Sequence, residues 1–133
     1  MRNITRGTIL ALVATSIAVP AAATQQSYNG TWPLTIRRSQ FFRGTGCLTL
    51  NGPERHGAAT LVLNGQTYQY GSFLVGDGIF IASIVKPSGS QNGVLQFTAH
   101  AGGGRIGSGV FQDLEGGSQL DGGALTIGMK NGC

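Results

Sequence analysis

The stretch that decides the fold is Ala58-Ala59-Thr60-Leu61-Val62-Leu63-Asn64-Gly65-Gln66-Thr67-Tyr68-Gln69-Tyr70. Two short runs of aliphatic, β-branched and aromatic residues flank Asn-Gly, the dipeptide that best accepts positive φ at both central positions of a type I′ turn. This reads as a two-residue β-hairpin, with 58–63 paired against 66–70. In that register Leu61 faces Tyr68 and Ala59 faces Tyr70, which puts both tyrosines on the leucine face.

The same texture continues on both sides of the hairpin. Before it come runs at 30–36 and 46–50, the second ended by Asn51-Gly52. In the first, Trp32, Leu34 and Ile36 share a face, opposite Pro33, Thr35 and Arg37. Pro33 cannot donate a ladder hydrogen bond, so this strand begins at an edge or carries a bulge. After the hairpin come 71–75, 79–85, 94–100, 105–113 and 124–129, with Pro87 to Gly93 as a polar loop. Beyond residue 23 one residue in five is glycine, and each glycine costs a helix interior about 1 kcal/mol relative to alanine. Short links between strands favour antiparallel neighbours. The expectation is an all-β chain, a small antiparallel up-and-down β-barrel of about eight strands, with a β-sandwich as the alternative. Leu48-Thr49-Leu50-Asn51-Gly52 recurs as Leu61-Val62-Leu63-Asn64-Gly65, in keeping with an array of hairpins.

The first 23 residues read differently. Arg2 and Arg6 precede an uncharged, mostly apolar stretch from Thr8 to Val19, and Ala21-Ala22-Ala23 comes next. That is the layout of a secretory signal peptide. The apolar stretch is shorter than the roughly 20 residues a membrane-spanning helix needs. The expected organisation is a cleaved signal at 1–23 and a single domain at 24–133, with no integral membrane span after cleavage. Loss of Arg2 and Arg6 lowers the net charge from +4 to +2, which argues against a nucleic-acid partner. Cys47 and Cys133 are the only cysteines. In the oxidising periplasmic or extracellular setting that export implies, they are expected to form one disulfide. Such a bridge ties the second strand to the region of the last. Closure of the sheet on itself produces that proximity and removes exposed strand edges, so it favours the barrel.

Several motifs match a pattern but not its chemistry. Gly102-Gly103-Gly104-Arg105-Ile106-Gly107 has the dinucleotide-loop spacing, but that loop must open a helix and here a strand comes after it. Ser83 and Lys86 have the spacing of a serine acyltransferase pair, but an odd offset on a strand puts them on opposite faces. Gly116-Gly117-Ser118-Gln119-Leu120-Asp121 resembles one calcium-binding nonapeptide, and such sites need stacked copies. His56 and His100 have no partner at ligand spacing. The sequence therefore specifies no catalytic group, no metal site and no cofactor, and the reading is non-enzymatic.

Two features remain. Arg37-Arg38-Ser39-Gln40-Phe41-Phe42-Arg43 is the one dense charge cluster after the signal. Guanidinium groups hold carboxylate or phosphate bidentately, and flanking aromatics stack on ligands. The second is the aromatic set Tyr28, Trp32, Tyr68, Tyr70 and Phe111, which would line a cavity if the barrel encloses one. Gly30-Thr31-Trp32, at the head of the first strand, is similar to the G-x-W signature of the calycin barrels, the lipocalins and avidins. That resemblance implies a ligand-binding barrel with the tryptophan closing its base. It covers three residues: avidins place several tryptophans in their pocket where this chain has one, and lipocalins are longer.

The functional expectation is an exported, non-enzymatic binding protein for a small hydrophobic or anionic ligand. Its candidate ligand-binding residues are Arg37, Arg38, Phe41, Phe42, Arg43, Trp32, Tyr68 and Tyr70. The alternatives are a protein inhibitor of a hydrolase and a structural component of the envelope or matrix.

Overall fold

A computed structural model describes residues 27–87 and 93–133; the expected signal peptide at 1–23 lies outside the described residues. Among the described residues, nine strands succeed one another without an intervening helix: β1 (Gly30–Arg37), β2 (Gly44–Asn51), β3 (Gly57–Leu63), β4 (Gln66–Tyr68), β5 (Gly71–Gly76), β6 (Ile79–Val85), β7 (Gly93–Gly102), β8 (Arg105–Glu115) and β9 (Ser118–Ile127). All pairings are antiparallel. Going around the sheet, β1, β2, β3, β5, β6, β7, β8 and β9 each pair with the next, and β9 pairs back to β1. The result is a closed eight-stranded antiparallel barrel, with the three-residue β4 extending β5 along β3.

The turns are of the kind the hairpin reading requires. Asn64-Gly65 has φ of 51° and 82°, and Asp77-Gly78, Gly103-Gly104 and Gly116-Gly117 repeat that pair of positive values. Two adjacent left-handed residues match the twist of the flanking strands, and glycine at the second takes that conformation without steric cost.

Leu61 pairs with Tyr68 as expected, but Ala59 does not face Tyr70. The β3–β4 ladder runs Leu61↔Tyr68, whereas the β3–β5 ladder runs Gly57↔Phe73, one residue out of step. The extra residue at 69–70 is a bulge, and it reverses the facing of the residues beyond it. Tyr70 therefore points outward at 73 % exposure, while Tyr68 is buried.

Alternate residues of every barrel strand point inward. Trp32, Leu34 and Ile36 from β1, Phe80, Ala82 and Ile84 from β6, and Leu95 and Phe97 from β7 are all buried in one cluster with Phe111. Aromatic and aliphatic side chains fill the barrel axis. Pro33 sits where its missing N–H costs least. Its carbonyl accepts the Gly128 N–H at 2.8 Å, so its ladder side faces the tail, just past Leu34↔Ile127, where β1–β9 pairing starts. The tail from Gly128 onward crosses the outer face of β1 and ends in the disulfide between Cys133 and Cys47.

Candidate functional site

The barrel has two ends. At the first lie the β1–β2 loop, the Asn64-Gly65 turn, the segment after β6 and the Gly116-Gly117 turn. The chain entry at Ser27, the 52–56 loop, the Gly103-Gly104 turn and the tail lie at the opposite end.

The β1–β2 loop, residues 38–43, is folded around one carboxylate. Asp121 Oδ2 accepts the Ser39 hydroxyl at 2.6 Å and the Phe41 N–H at 3.0 Å, and Oδ1 accepts the Gln40 N–H at 3.1 Å. The Gly122 N–H adds a fourth bond. Ser39, itself 3 % exposed, accepts the Phe42 N–H in turn. Burial alone would raise the Asp121 pKa. The Ser39 hydroxyl and the N–H groups of Phe41, Gln40 and Gly122 outweigh it and hold the group below the usual carboxylate range. Arg38, at φ 69°, reverses the chain into the loop. Gly123 lets the loop come close, since a Cβ there would collide with the Arg37 carbonyl oxygen. At the far end of the loop, Asn64 Nδ2 donates to the Arg43 carbonyl.

This clamp divides the loop's side chains. Phe42 turns in and packs on Phe111 at 5.6 Å between centroids, and Phe111 packs on Phe97 at 5.4 Å. Phe41 turns out and is 67 % exposed. Arg37, Arg38 and Arg43 are exposed, and none has a carboxylate partner among the described residues. A shallow cleft of about 290 Å³ lies on β8 and β9, lined by Val110, Gln112, Gln119, Gly122 and Gly123.

At the same end of the barrel is an ionic cluster that the sequence reading missed. Lys86 Nζ donates to Asp113 at 2.8 Å and to Glu115 at 2.7 Å. The Asp113 side chain is 5 % exposed and that of Lys86 14 %. Burial lowers the Lys86 pKa, but its hydrogen bonds to Asp113 and Glu115 prevail and raise it. Tyr68 is pushed up by burial first and by the Asp113 charge second, with Lys86 partly opposing. The sequence signal was parity: Lys86 succeeds inward Phe80, Ala82 and Ile84, Asp113 succeeds inward Phe111, and Asp121 precedes inward Gly123 and Leu125.

The candidate residues are thus only partly brought together. Arg37, Arg38, Phe41, Phe42 and Arg43 form one surface, with Tyr68 buried behind the ionic cluster at the same end. Trp32 is at the opposite end, 1 % exposed, stacked on Tyr28 and donating its indole N–H to the Tyr28 carbonyl at 3.0 Å. Tyr70 is on the outer wall. An open cleft of about 670 Å³ is lined by Tyr28 and the 52–55 loop, and a second, of about 560 Å³, by Trp32, Ile106 and Ile127. Among the described residues, no group of three or more His, Cys, Asp and Glu is placed to hold a metal ion, and no helix is long and apolar enough to cross a membrane. The Cys47–Cys133 disulfide is consistent with an oxidising, exported environment. No known protein family, curated protein or solved structure matches this chain.

Proposed function

We propose that the protein is an exported, non-enzymatic binding protein that engages a carboxylate-bearing protein partner through the β1–β2 loop. The observation that carries this reading is the Asp121 clamp. It fixes a loop whose outward side chains are three unpaired guanidinium groups around an exposed phenylalanine. Arginine and aromatic side chains are the residue types that concentrate binding energy at interfaces. A loop ordered before binding loses less entropy on binding. The filled interior speaks against a hydrophobic ligand inside the barrel, which leaves the anionic branch of the sequence expectation.

Immobilised poly-L-glutamate tests this. The protein should be retained, with retention falling steeply between about 50 and about 300 mM salt as the charges are screened. Arg37→Ala/Arg38→Ala/Arg43→Ala should weaken it at least tenfold. Equal retention of that variant would sink the proposal. The same clamp also favours a second reading, inhibition of a hydrolase by insertion of the Phe41 apex into its cleft. Phe41→Ala would then abolish inhibition, whereas the arginine variant would mainly slow association.

A further inference from the structure

The barrel wall is continuous along most of its length, but two neighbouring strands part at one end. β8 and β9 are in register from Glu115↔Ser118 to Gly109↔Leu125 and no further. Past that point, among the described residues, 105–108 of β8 have only β7 beside them, with Ile106 opposite Ala101. Thr126 and Ile127 of β9 pair only with Thr35 and Leu34 of β1. Both unpaired lengths line one cleft of about 560 Å³, a size within the range of small-ligand sites. Four residues of strand give this seam a length of roughly 13 Å. Its floor belongs to the core: Trp32, Ile106 and Ile127 are 1, 4 and 6 % exposed. Both lips are held in place. On the β8 side the Gly104 N–H donates to the Tyr28 hydroxyl at 3.2 Å. On the tail side the Gly128 N–H donates to the Pro33 carbonyl, and the Cys47–Cys133 disulfide secures the chain end. Gly103, Gly104, Gly107 and Gly128 line the mouth without side chains to fill it.

We infer that this seam is a binding site for a small anionic amphiphile, an acidic headgroup on an aliphatic chain. The floor selects the chain. Side chains that otherwise pack in the core offer it aliphatic and aromatic surface, and Met129, 81 % exposed, adds a flexible apolar side chain at the lip. The charges select the headgroup. Arg105 and Lys130 are the only ionisable residues lining the cleft, one on each lip. The Arg105 side chain has no hydrogen-bond or ion-pair partner among the described residues. Lys130 Nζ donates to the Ser27 carbonyl at 3.0 Å, which leaves two of its three N–H donors for a ligand. A headgroup between the two cations accepts charge-assisted hydrogen bonds at the mouth while its chain lies along the seam. A cationic headgroup would meet like charges and no carboxylate. A peptide strand needs a longer free edge than the four residues that end at Gly109. The seam lies at the end of the barrel opposite the arginine loop, and outside the filled barrel axis.

The test is equilibrium dialysis of the oxidised protein against radiolabelled decanoate, with decylammonium as its cationic counterpart. Decanoate should fill one site per chain with half-saturation below about 1 mM, and bind roughly tenfold or more tightly than decylammonium. Trp32 is the only tryptophan and lies in the floor, so its emission should change with the same half-saturation. Arg105→Glu/Met129→Glu changes two exposed positions and should equalise the two affinities or reverse their order. Met129→Glu alone should weaken decanoate by roughly threefold. Absence of saturable uptake, equal affinity for decylammonium, or unchanged decanoate binding in the double variant overturns the proposal. Arg37→Ala/Arg38→Ala/Arg43→Ala should bind decanoate as the wild type does; loss of binding there would place the site at the loop and overturn the seam. Arg105→Glu/Met129→Glu should still be retained on poly-L-glutamate, so the two sites fail separately.

Discussion

Removing the disulfide should cost about as much stability as truncating a large, fully buried side chain in the core. Cys47 and Cys133 are 86 residues apart, so the bridge closes most of the folded chain into one loop. The chain-entropy model puts the loss of unfolded-state freedom for a loop of that length at about 4–5 kcal/mol. The native state should barely register the change. Cys47 lies on the outward face of β2, between Pro33 and Val62 in register, so alanine there opens no hole in the core. The tail keeps its bonds from Gly128 to the Pro33 carbonyl and from Asn131 to the Thr31 carbonyl. Barrel closure at Leu34↔Ile127 to Arg37↔Ala124 does not involve either cysteine. The assay is urea unfolding of the wild type and of Cys47→Ala/Cys133→Ala, tracked by the single tryptophan, Trp32, which is 1 % exposed in the native state. The double variant should lose about 4 kcal/mol with unchanged native emission and a larger m-value, because its unfolded chain expands further. In a domain of this size that loss lowers Tm by about 20–30 °C. A loss under about 1 kcal/mol would refute the loop-closure argument. So would a loss accompanied by altered native emission, since the bridge would then be acting on the folded barrel.

Two further predictions test how the first-loop end is built. Asp121, its pKa lowered, contributes stability that is fully present above the unfolded-chain value of about 4 and is lost as pH falls through its folded value. Asp121→Asn should therefore be less stable than wild type at pH 6 and show a shallower acid decline in denaturation curves taken between about pH 6 and pH 2; parallel profiles would show that the clamp adds nothing. Tyr68→Ala should cost about 2–4 kcal/mol and Tyr70→Ala under about 0.5 kcal/mol in the same unfolding assay, because the bulge buries the first and exposes the second; equal costs would contradict the register shift.

The barrel was legible because its signals are local. Asn64-Gly65 set the hairpin, and strict alternation set the facing of Trp32, Leu34 and Ile36 and of Phe80, Ala82 and Ile84. Two cysteines left one intramolecular pairing. What the sequence hid depends on residues far apart in it. The bulge at 69–70 has no marker of its own in Tyr68-Gln69-Tyr70-Gly71; it exists because β3 must pair with β4 near one end and β5 near the other. The expected start of the last strand at Ala124 was six residues late, because Gly122 and Gly123 read as loop. In the barrel they are strand, and Gly123 is glycine so that the β1–β2 loop can approach.

The deepest miss concerned charge. Lys86, Asp113 and Asp121 look in the sequence like ordinary solvated residues, yet all three fall on the inward parity of strands whose other inward residues are mostly apolar or glycine. A charge at core parity is costly unless it is paired or hydrogen-bonded. Its presence therefore implies a partner brought in from another element. Lys86 meets Asp113 and Glu115, and Asp121 meets the Ser39–Phe41 backbone and hydroxyl. Both arrangements sit at the end of the barrel where the arginine loop lies. The sequence located the exposed part of that surface, Arg37, Arg38, Phe41 and Arg43, by its density of charge and aromatics. Within that surface Asp121 fixes the path of the loop, and Phe42 anchors it to Phe111.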